Sequence, residues 1–148
     1  MTPEEMAALH ARAFTTPRPW SAPEFRAMLD DPSVLLLVES DGFLLGRVVA
    51  DEAEILTLAV DPDCRRQGTG FRLVTRFLDA ARDRDAATAF LEVAVDNIAA
   101  VSLYERAGFT RQGRRKAYFR APDGQTIDAL VMACGLRNSD PNLTPPVF

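Results

Sequence analysis

Histidine occurs once in this chain, at position 10, and cysteine twice, at Cys64 and Cys134. A single imidazole builds neither a His-based metal site nor a Ser-His triad, and the two thiols lack metal-ligand spacing, so no metal is expected. Both thiols are expected to be reduced, as in an intracellular chain. His10 itself is expected as a surface or half-buried helix residue. No apolar run reaches the length of a membrane-spanning helix. The N-terminus carries Glu4 and Glu5 rather than a basic flank and an apolar core, so no secretory signal is read and a cytoplasmic protein is expected. Excess positive charge is missing too. The formal net charge of −4 argues against a general nucleic-acid binder and would suit a cationic substrate.

What is present is ordinary for a globular chain: 47% hydrophobic and 26% charged residues over 148 positions, enough for one core. A single domain over 1–135 is expected, followed by a proline-containing tail at 136–148 that packs loosely or stays disordered. No internal repeat is visible. Thr2-Pro3-Glu4-Glu5 and Ser21-Ala22-Pro23-Glu24 are two capping boxes, each with proline in the first turn, and each opens a short helix. Val34 to Glu39 and Phe43 to Ala50 read as a hairpin around Asp41-Gly42, followed by an acidic turn at Asp51-Glu52. A strand at 55–60, a helix at 69–84, a strand at 87–95 and a helix at 97–107 closed by Gly108 come next. A last hairpin, 111–119 with 126–133, turns at Pro122-Asp123-Gly124. The order is α-α-β-β-β-α-β-α-β-β: an α/β chain whose mixed sheet is antiparallel at both ends and parallel in the middle.

The stretch from Glu54 to Arg72 organises this pattern. Five of the six residues Ile55 to Val60 are apolar, so a strand covered on both faces is expected, and Asp61-Pro62-Asp63 breaks it. Arg65-Arg66-Gln67-Gly68-Thr69-Gly70 then leads into a helix with Leu73, Val74, Phe77, Leu78 and Ala81 on one side. Glycines there let backbone N–H groups converge at a helix N-terminus, where the dipole favours a phosphate or pyrophosphate. A P-loop would need Lys and Ser/Thr after the last glycine, where Phe71 and Arg72 stand. A Rossmann turn would need a third glycine, where Leu73 stands.

Three further residues carry candidate chemistry. Glu92 is the only charge on a strand otherwise apolar on both faces; it is either salt-bridged to an arginine or a general base acting through water. Asn97 suits a helix N-cap and could also bind a ligand amide. Tyr104 lies on the helix face of Ala100, Val101 and Ala107, where it packs or presents its hydroxyl to a buried partner.

Arg65-x-x-Gly68-x-Gly70 resembles the acetyl-CoA pyrophosphate loop of the GNAT family of N-acetyltransferases. Ile-Leu-Thr-Leu-Ala-Val-Asp-Pro-Asp-Cys-Arg-Arg-Gln-Gly-Thr-Gly, Phe-Leu-Glu-Val and Asp-Asn-Ile-Ala-Ala-Val-Ser-Leu-Tyr-Glu-Arg-Ala-Gly-Phe together are similar to its RimI-type, ribosomal-protein-alanine branch. The match covers roughly residues 54–133. Cys64 departs from it, replacing a frequent aromatic, and the N-terminal half is poorly matched. The resemblance implies the acyl-CoA N-acyltransferase fold, in which two central strands splay apart, with acetyl-CoA as co-substrate. It implies Glu92 as base and Tyr104 as acid toward the leaving thiolate. Backbone groups of Leu58, Ala59 and Val60 would align pantetheine, N–H groups of Arg65, Arg66, Gln67, Gly68, Thr69 and Gly70 would hold pyrophosphate, and Asn97 and Tyr104 would complete the cofactor site. The acceptor would be a protein N-terminus, that of a ribosomal protein, with a small-molecule amine or a non-catalytic acyl-CoA-binding role as alternatives. A monomer or weak homodimer is expected. Arg111, Arg114, Arg115, Lys116 and Arg120 form a basic cluster, read either as a solvated strand face or as a contact to RNA or CoA phosphates.

Overall fold

The computed structural model describes residues 1–14, 18–65 and 67–137; the expected C-terminal tail beyond 137, Pro17 and Arg66 lie outside them. Helices α1 (Pro3–Ala13) and α2 (Ala22–Leu29) both start with complete capping boxes, from Thr2 with Glu5 and from Ser21 with Glu24. Each such cap is worth about 1 kcal/mol, enough to fix where a short helix begins. Strands β1 (Val34–Glu39), β2 (Gly42–Val49) and β3 (Glu52–Val60) follow as an antiparallel meander. A short 3₁₀ turn (Pro62–Cys64) leads to α3 (Thr69–Asp83), then β4 (Thr88–Ala94), α4 (Ile98–Arg106), β5 (Thr110–Arg120) and β6 (Thr126–Gly135). The expected element order is observed. Sheet order is β1-β2-β3-β4-β6-β5, with β3 and β4 parallel across the α3 crossover and every other pairing antiparallel.

Two apolar layers cover the sheet. Leu73, Val74, Phe77, Leu78 and Ala81 of α3 are buried against one face with Leu44, Ile55, Leu91 and Val93, as their helical spacing requires. Burying a side chain such as Phe77 stabilises by roughly 1.5–3 kcal/mol. Gly46 makes this packing close: a Cβ there would stand 2.2 Å from the Phe77 ring. The opposite face is covered by α1 and α2 through Met6 and Phe25 against Phe43, Leu45 and Ala59.

Two details differ from the sequence reading. Strand β3 begins at Glu52, not at Ile55, because Glu52 and Glu54 pair with Val49 and Arg47 of β2 and with Thr88 and Phe90 of β4. Asp51-Glu52 reads locally as a turn; ladder hydrogen bonds on both sides draw Glu52 into the strand, and an Arg47–Glu54 ion pair of 3.1 Å supports its first residues. The second difference is His10, which is 1% exposed rather than superficial. It sits among Phe14, Trp20, Phe25 and Phe43, with Nδ1 accepting from the Trp20 backbone N–H at 2.9 Å and Nε2 2.8 Å from Thr57 Oγ1. Both ring nitrogens are thereby satisfied, which is how an imidazole can be buried.

Burial lowers the His10 pKa to about 4, against a smaller opposing pull from the Glu24 charge. Because the folded value lies below the ordinary 6.5, its contribution to stability is fully present above pH 6.5 and is lost as pH falls toward 4. Urea unfolding at pH 7 and pH 5 is expected to show wild type losing about 2 kcal/mol more than His10→Leu over that interval. Equal losses would mean that His10 is not held neutral by the fold.

Candidate active site

The parallel β3–β4 ladder contains three register pairs, Glu52↔Thr88, Ala53↔Ala89 and Glu54↔Phe90, and ends there. Continued, it would set Leu56 opposite Glu92; instead the strands part. The bulge in β3 falls at the same point, since Leu45 faces Thr57 while Gly46 faces Ile55, leaving Leu56 without a partner on β2. This added residue turns both Leu56 and Thr57 toward α1 and α2, whereas Ile55 and Leu58 face α3 and α4. The backbone of Leu58, Ala59 and Val60 thus borders a wedge-shaped opening, with β4 residues 91–94 on the other side. A wedge of unpaired strand edge offers amide hydrogen bonds to an extended ligand.

At the wide end of the wedge lies the loop before α3. Asp61 breaks β3 by accepting from the Asp63 N–H, and Pro62 starts the 3₁₀ turn. Gly68 is the N-cap of α3 in the left-handed region (φ +81°), and no side chain caps the helix. Its first N–H groups are therefore without a side-chain partner, the arrangement an anion site would use. The loop is braced from beneath. Thr69, 2% exposed, donates to the Asp41 carboxylate at 2.9 Å, and Arg72 donates to Gln67 O (2.9 Å), Thr69 Oγ1 (3.1 Å) and Glu39 (3.0 Å). Arg65 reaches the Ala13 carbonyl at 3.5 Å. A Cβ on Gly70 would lie 3.1 Å from Leu103 of α4 and 3.9 Å from Leu58, so α3, α4 and β3 converge there.

Glu92 alternates with Leu91 and Val93, which lie in the α3–α4 core, so its carboxylate stands on the other face, with Phe90 and Glu54. Its side chain is 17% exposed; Oε2 is buried and accepts no hydrogen bond, although Arg115 Nε is 3.3 Å away. The arginine-paired alternative for Glu92 is thus partly realised: a counter-charge is near, but the lone pair is left open. A buried carboxylate oxygen without a donor is costly and suits a group that receives a proton from a ligand or water. Tyr118 lies beside it, with the Arg115 guanidinium 5.5 Å from its ring centroid. Its phenol is pushed up by burial first and then by the Glu92 carboxylate.

Tyr104 stands on the α3–α4 side. It is 7% exposed and edge-on to Phe109 at 5.8 Å, and burial pushes its phenol well above the ordinary value, which keeps the proton on the oxygen at neutral pH. Among the described residues its hydroxyl has no hydrogen-bond partner. Asn97 is the α4 N-cap, its side chain accepting from the Ala100 N–H at 3.2 Å, so the capping role is real and its amide N–H₂ remains available. Cys64 and Cys134 are both free thiols. Of the basic cluster, Arg111, Arg114 and Arg115 pair with Glu105, Asp128 and Glu92 on the exposed edge strand β5, which favours the solvated-face reading.

Sequence reasoning missed Tyr118, Arg115 and Glu54 as neighbours of Glu92. The two β5 residues arrive through an irregular register between Arg115 and Phe119, with Ala117 at φ +52°, which has no local signal. Glu54 fell just ahead of the strand expected at 55–60. It is a second carboxylate on the Glu92 face, held by Arg47.

No helix is long and apolar enough to cross a membrane, and no group of potential metal ligands occurs among the described residues. Residues 4–109 match the family model described as Acetyltransferase (GNAT) family. The chain is 36% identical over 131 residues to the [ribosomal protein bS18]-alanine N-acetyltransferase of Escherichia coli (strain K12), covering 86% of this chain and 88% of that protein. It is 36% identical over 126 residues to the N-alpha-acetyltransferase RimI of Mycobacterium tuberculosis, covering 79% and 78%. The crystal structure of the ribosomal-protein-S18-alanine N-acetyltransferase from Escherichia coli superposes with a TM-score of 0.79 at 34% identity, over 93% of this chain and 90% of that one. The splayed ladder, the uncapped glycine turn and these likenesses agree: the chain belongs to the GNAT family and is an acetyl-CoA-dependent N-acetyltransferase.

Proposed function

We propose that this enzyme acetylates a protein N-terminal α-amine, that of an alanine at the start of a ribosomal protein, with Glu92 as base and Tyr104 as acid. The observation that carries the mechanism is the buried, unpartnered Oε2 of Glu92 where the β3–β4 ladder opens, with the Tyr104 phenol on the opposite side of the sheet. The relatives' activity, alanine N-acetylation of bS18, supports the choice of acceptor.

Three features of the chain support a place for acetyl-CoA. Backbone N–H groups from Arg65 to Gly70 would bind pyrophosphate, the edge of Leu58 to Val60 would align the pantetheine amides, and Asn97 would add a side-chain contact. When bound, the thioester supplies an activated acetyl group. Glu92 draws a proton from the attacking amine through a water, and Tyr104 gives its proton to the departing sulfur, so one proton is taken up and one released.

The acceptor choice has an energetic basis. An α-amine with pKa about 7.7–8.0 is roughly a fifth neutral near pH 7.3, whereas lysine at about 10.4 is neutral to about one part in a thousand. The difference is about 3 kcal/mol in available nucleophile. Glu54 does not remove that gap, since its carboxylate is engaged by Arg47.

Replacing Gly68 or Gly70 by valine is expected to weaken acetyl-CoA binding by about one to three kcal/mol, through strain at a positive φ in the first case and collision with Leu103 in the second. Calorimetry reads this directly, and wild-type affinity in both variants would remove pyrophosphate from the turn. Tyr104→Phe is expected to lower kcat by about 10²–10⁴-fold with little change in the KM for acetyl-CoA. An unchanged kcat, with chemistry rate-limiting, would reduce Tyr104 to packing. Glu92→Gln is expected to lose activity near neutral pH and regain part of it as pH rises past the pKa of the substrate amine. On a peptide panel followed by thiol release, an Ala-headed peptide should react far faster than the same peptide with its α-amine blocked and an internal lysine free. Equal rates would sink the α-amine assignment, and turnover confined to small amines would reassign the acceptor.

A further inference from the structure

The hydrogen bonds of His10 determine more than its own burial. The Trp20 backbone N–H can only donate, so His10 Nδ1, 2.9 Å away, is the unprotonated ring nitrogen. The ring proton is therefore on Nε2, and Nε2–H donates to Thr57 Oγ1 at 2.8 Å. Thr57 thus spends a lone pair on His10 and keeps its own hydroxyl proton. No described residue accepts that proton. With its ring pKa pushed down to about 4, His10 stays neutral and holds this tautomer throughout the working range of an acetyltransferase.

Position gives this free donor its meaning. Thr57 is half-buried and lies at the bulge of β3, one residue past Leu56, the position that the broken ladder would set opposite Glu92. The bulge turns Thr57 to the same face as Glu92. A carboxylate acceptor and a hydroxyl with a free proton to donate therefore flank the opening from its two strands. A carbonyl carbon attacked between them would find the base on the amine side and a donor on the side where oxygen charge grows.

We propose that Thr57, held by His10, is a catalytic donor to the acetyl thioester carbonyl, stabilising the charge that develops on its oxygen in the transition state. The inference rests on the reading of the β3–β4 opening as the reaction site, but not on the identity of the acceptor amine. No bond is made or broken at Thr57; its O–H donates throughout while the proton of the amine leaves by way of Glu92. Preorganisation is the reason His10 matters. A hydroxyl whose lone pair is already committed has fewer orientations to lose when charge appears.

The test uses the full chain and three variants, with folding checked by acetyl-CoA calorimetry. Thr57→Val is isosteric and is expected to lower kcat by about 10²-fold, leaving the KM for acetyl-CoA within about two-fold. Thr57→Ser should retain most of the rate. His10→Leu should slow wild type but add little in the Thr57→Val background, because both changes remove one interaction. An independent readout is ¹³C NMR of acetyl-CoA labelled at the thioester carbonyl. Bound to wild type, the resonance should move downfield, and in Thr57→Val it should return toward the free value. This signal needs no acceptor, so it still reports if the α-amine assignment fails. A carbonyl resonance identical in wild type and Thr57→Val would overturn the proposal. So would a Thr57→Val enzyme with wild-type kcat when chemistry is rate-limiting, or a Thr57→Ser loss as large as that of valine.

Discussion

Two parallel strands that pair for three residues and then separate leave a row of backbone N–H and C=O groups on each facing edge. Such groups cannot be buried without partners, so the opening between β3 and β4 must be filled by water or by an amide-bearing ligand. Everything else at the site follows from holding that opening apart. α3 and α4 wedge it from one side, with Gly70 as the point of closest approach to Leu103 and Leu58. α1 and α2 cover the other side, and the bulge at Leu56 lets β3 keep its pairing with β2 while turning away from β4. Glu92 and Tyr104 then lie on opposite faces of one sheet, with the gap between them.

The described arginines Arg12 and Arg72 beside the glycine turn are already paired. Arg72 is committed to Glu39, Gln67 and Thr69, while Arg12 pairs with Asp61 and Asp63, so the arginines around the loop mainly brace it. The first N–H groups of α3 carry no side-chain cap, and such groups with the helix dipole favour an anion without side-chain ordering. The acidic β1–β2 turn beside it is structural: Asp41 fixes Thr69, and the Asp41 carbonyl accepts from the Asp61 N–H at 2.7 Å. That arrangement joins the first hairpin to the glycine turn before α3.

Much of this was legible from local pattern. Two capping boxes started α1 and α2 where they were expected, the 3.6-residue spacing from Leu73 to Ala81 named the buried face of α3, and Gly108 closes α4 at φ +106°. These features depend on residues a few positions apart, so their physics is written along the chain. Glu92 was singled out for the same reason, as one charge in an apolar period-two row. The glycine turn could be distinguished from two other phosphate loops by the residues that follow it.

What the chain does not carry locally was decided by tertiary contact. Glu52 looks like part of a turn, yet it enters the strand with Glu54 because ladders on both sides outweigh the low strand propensity of Glu. His10 looks like a surface residue, yet Trp20 and Thr57, ten and forty-seven positions away, supply the partners that make its burial affordable. Arg115 and Tyr118 reach Glu92 only through an irregular β5 register. The sequence by itself determined the elements, their order and a set of candidate residues, because short-range spacing and residue type suffice for those. The partner of each polar group and the face on which it stands were decided by the folded sheet alone, since hydrogen bonds between distant strands leave no local period to read.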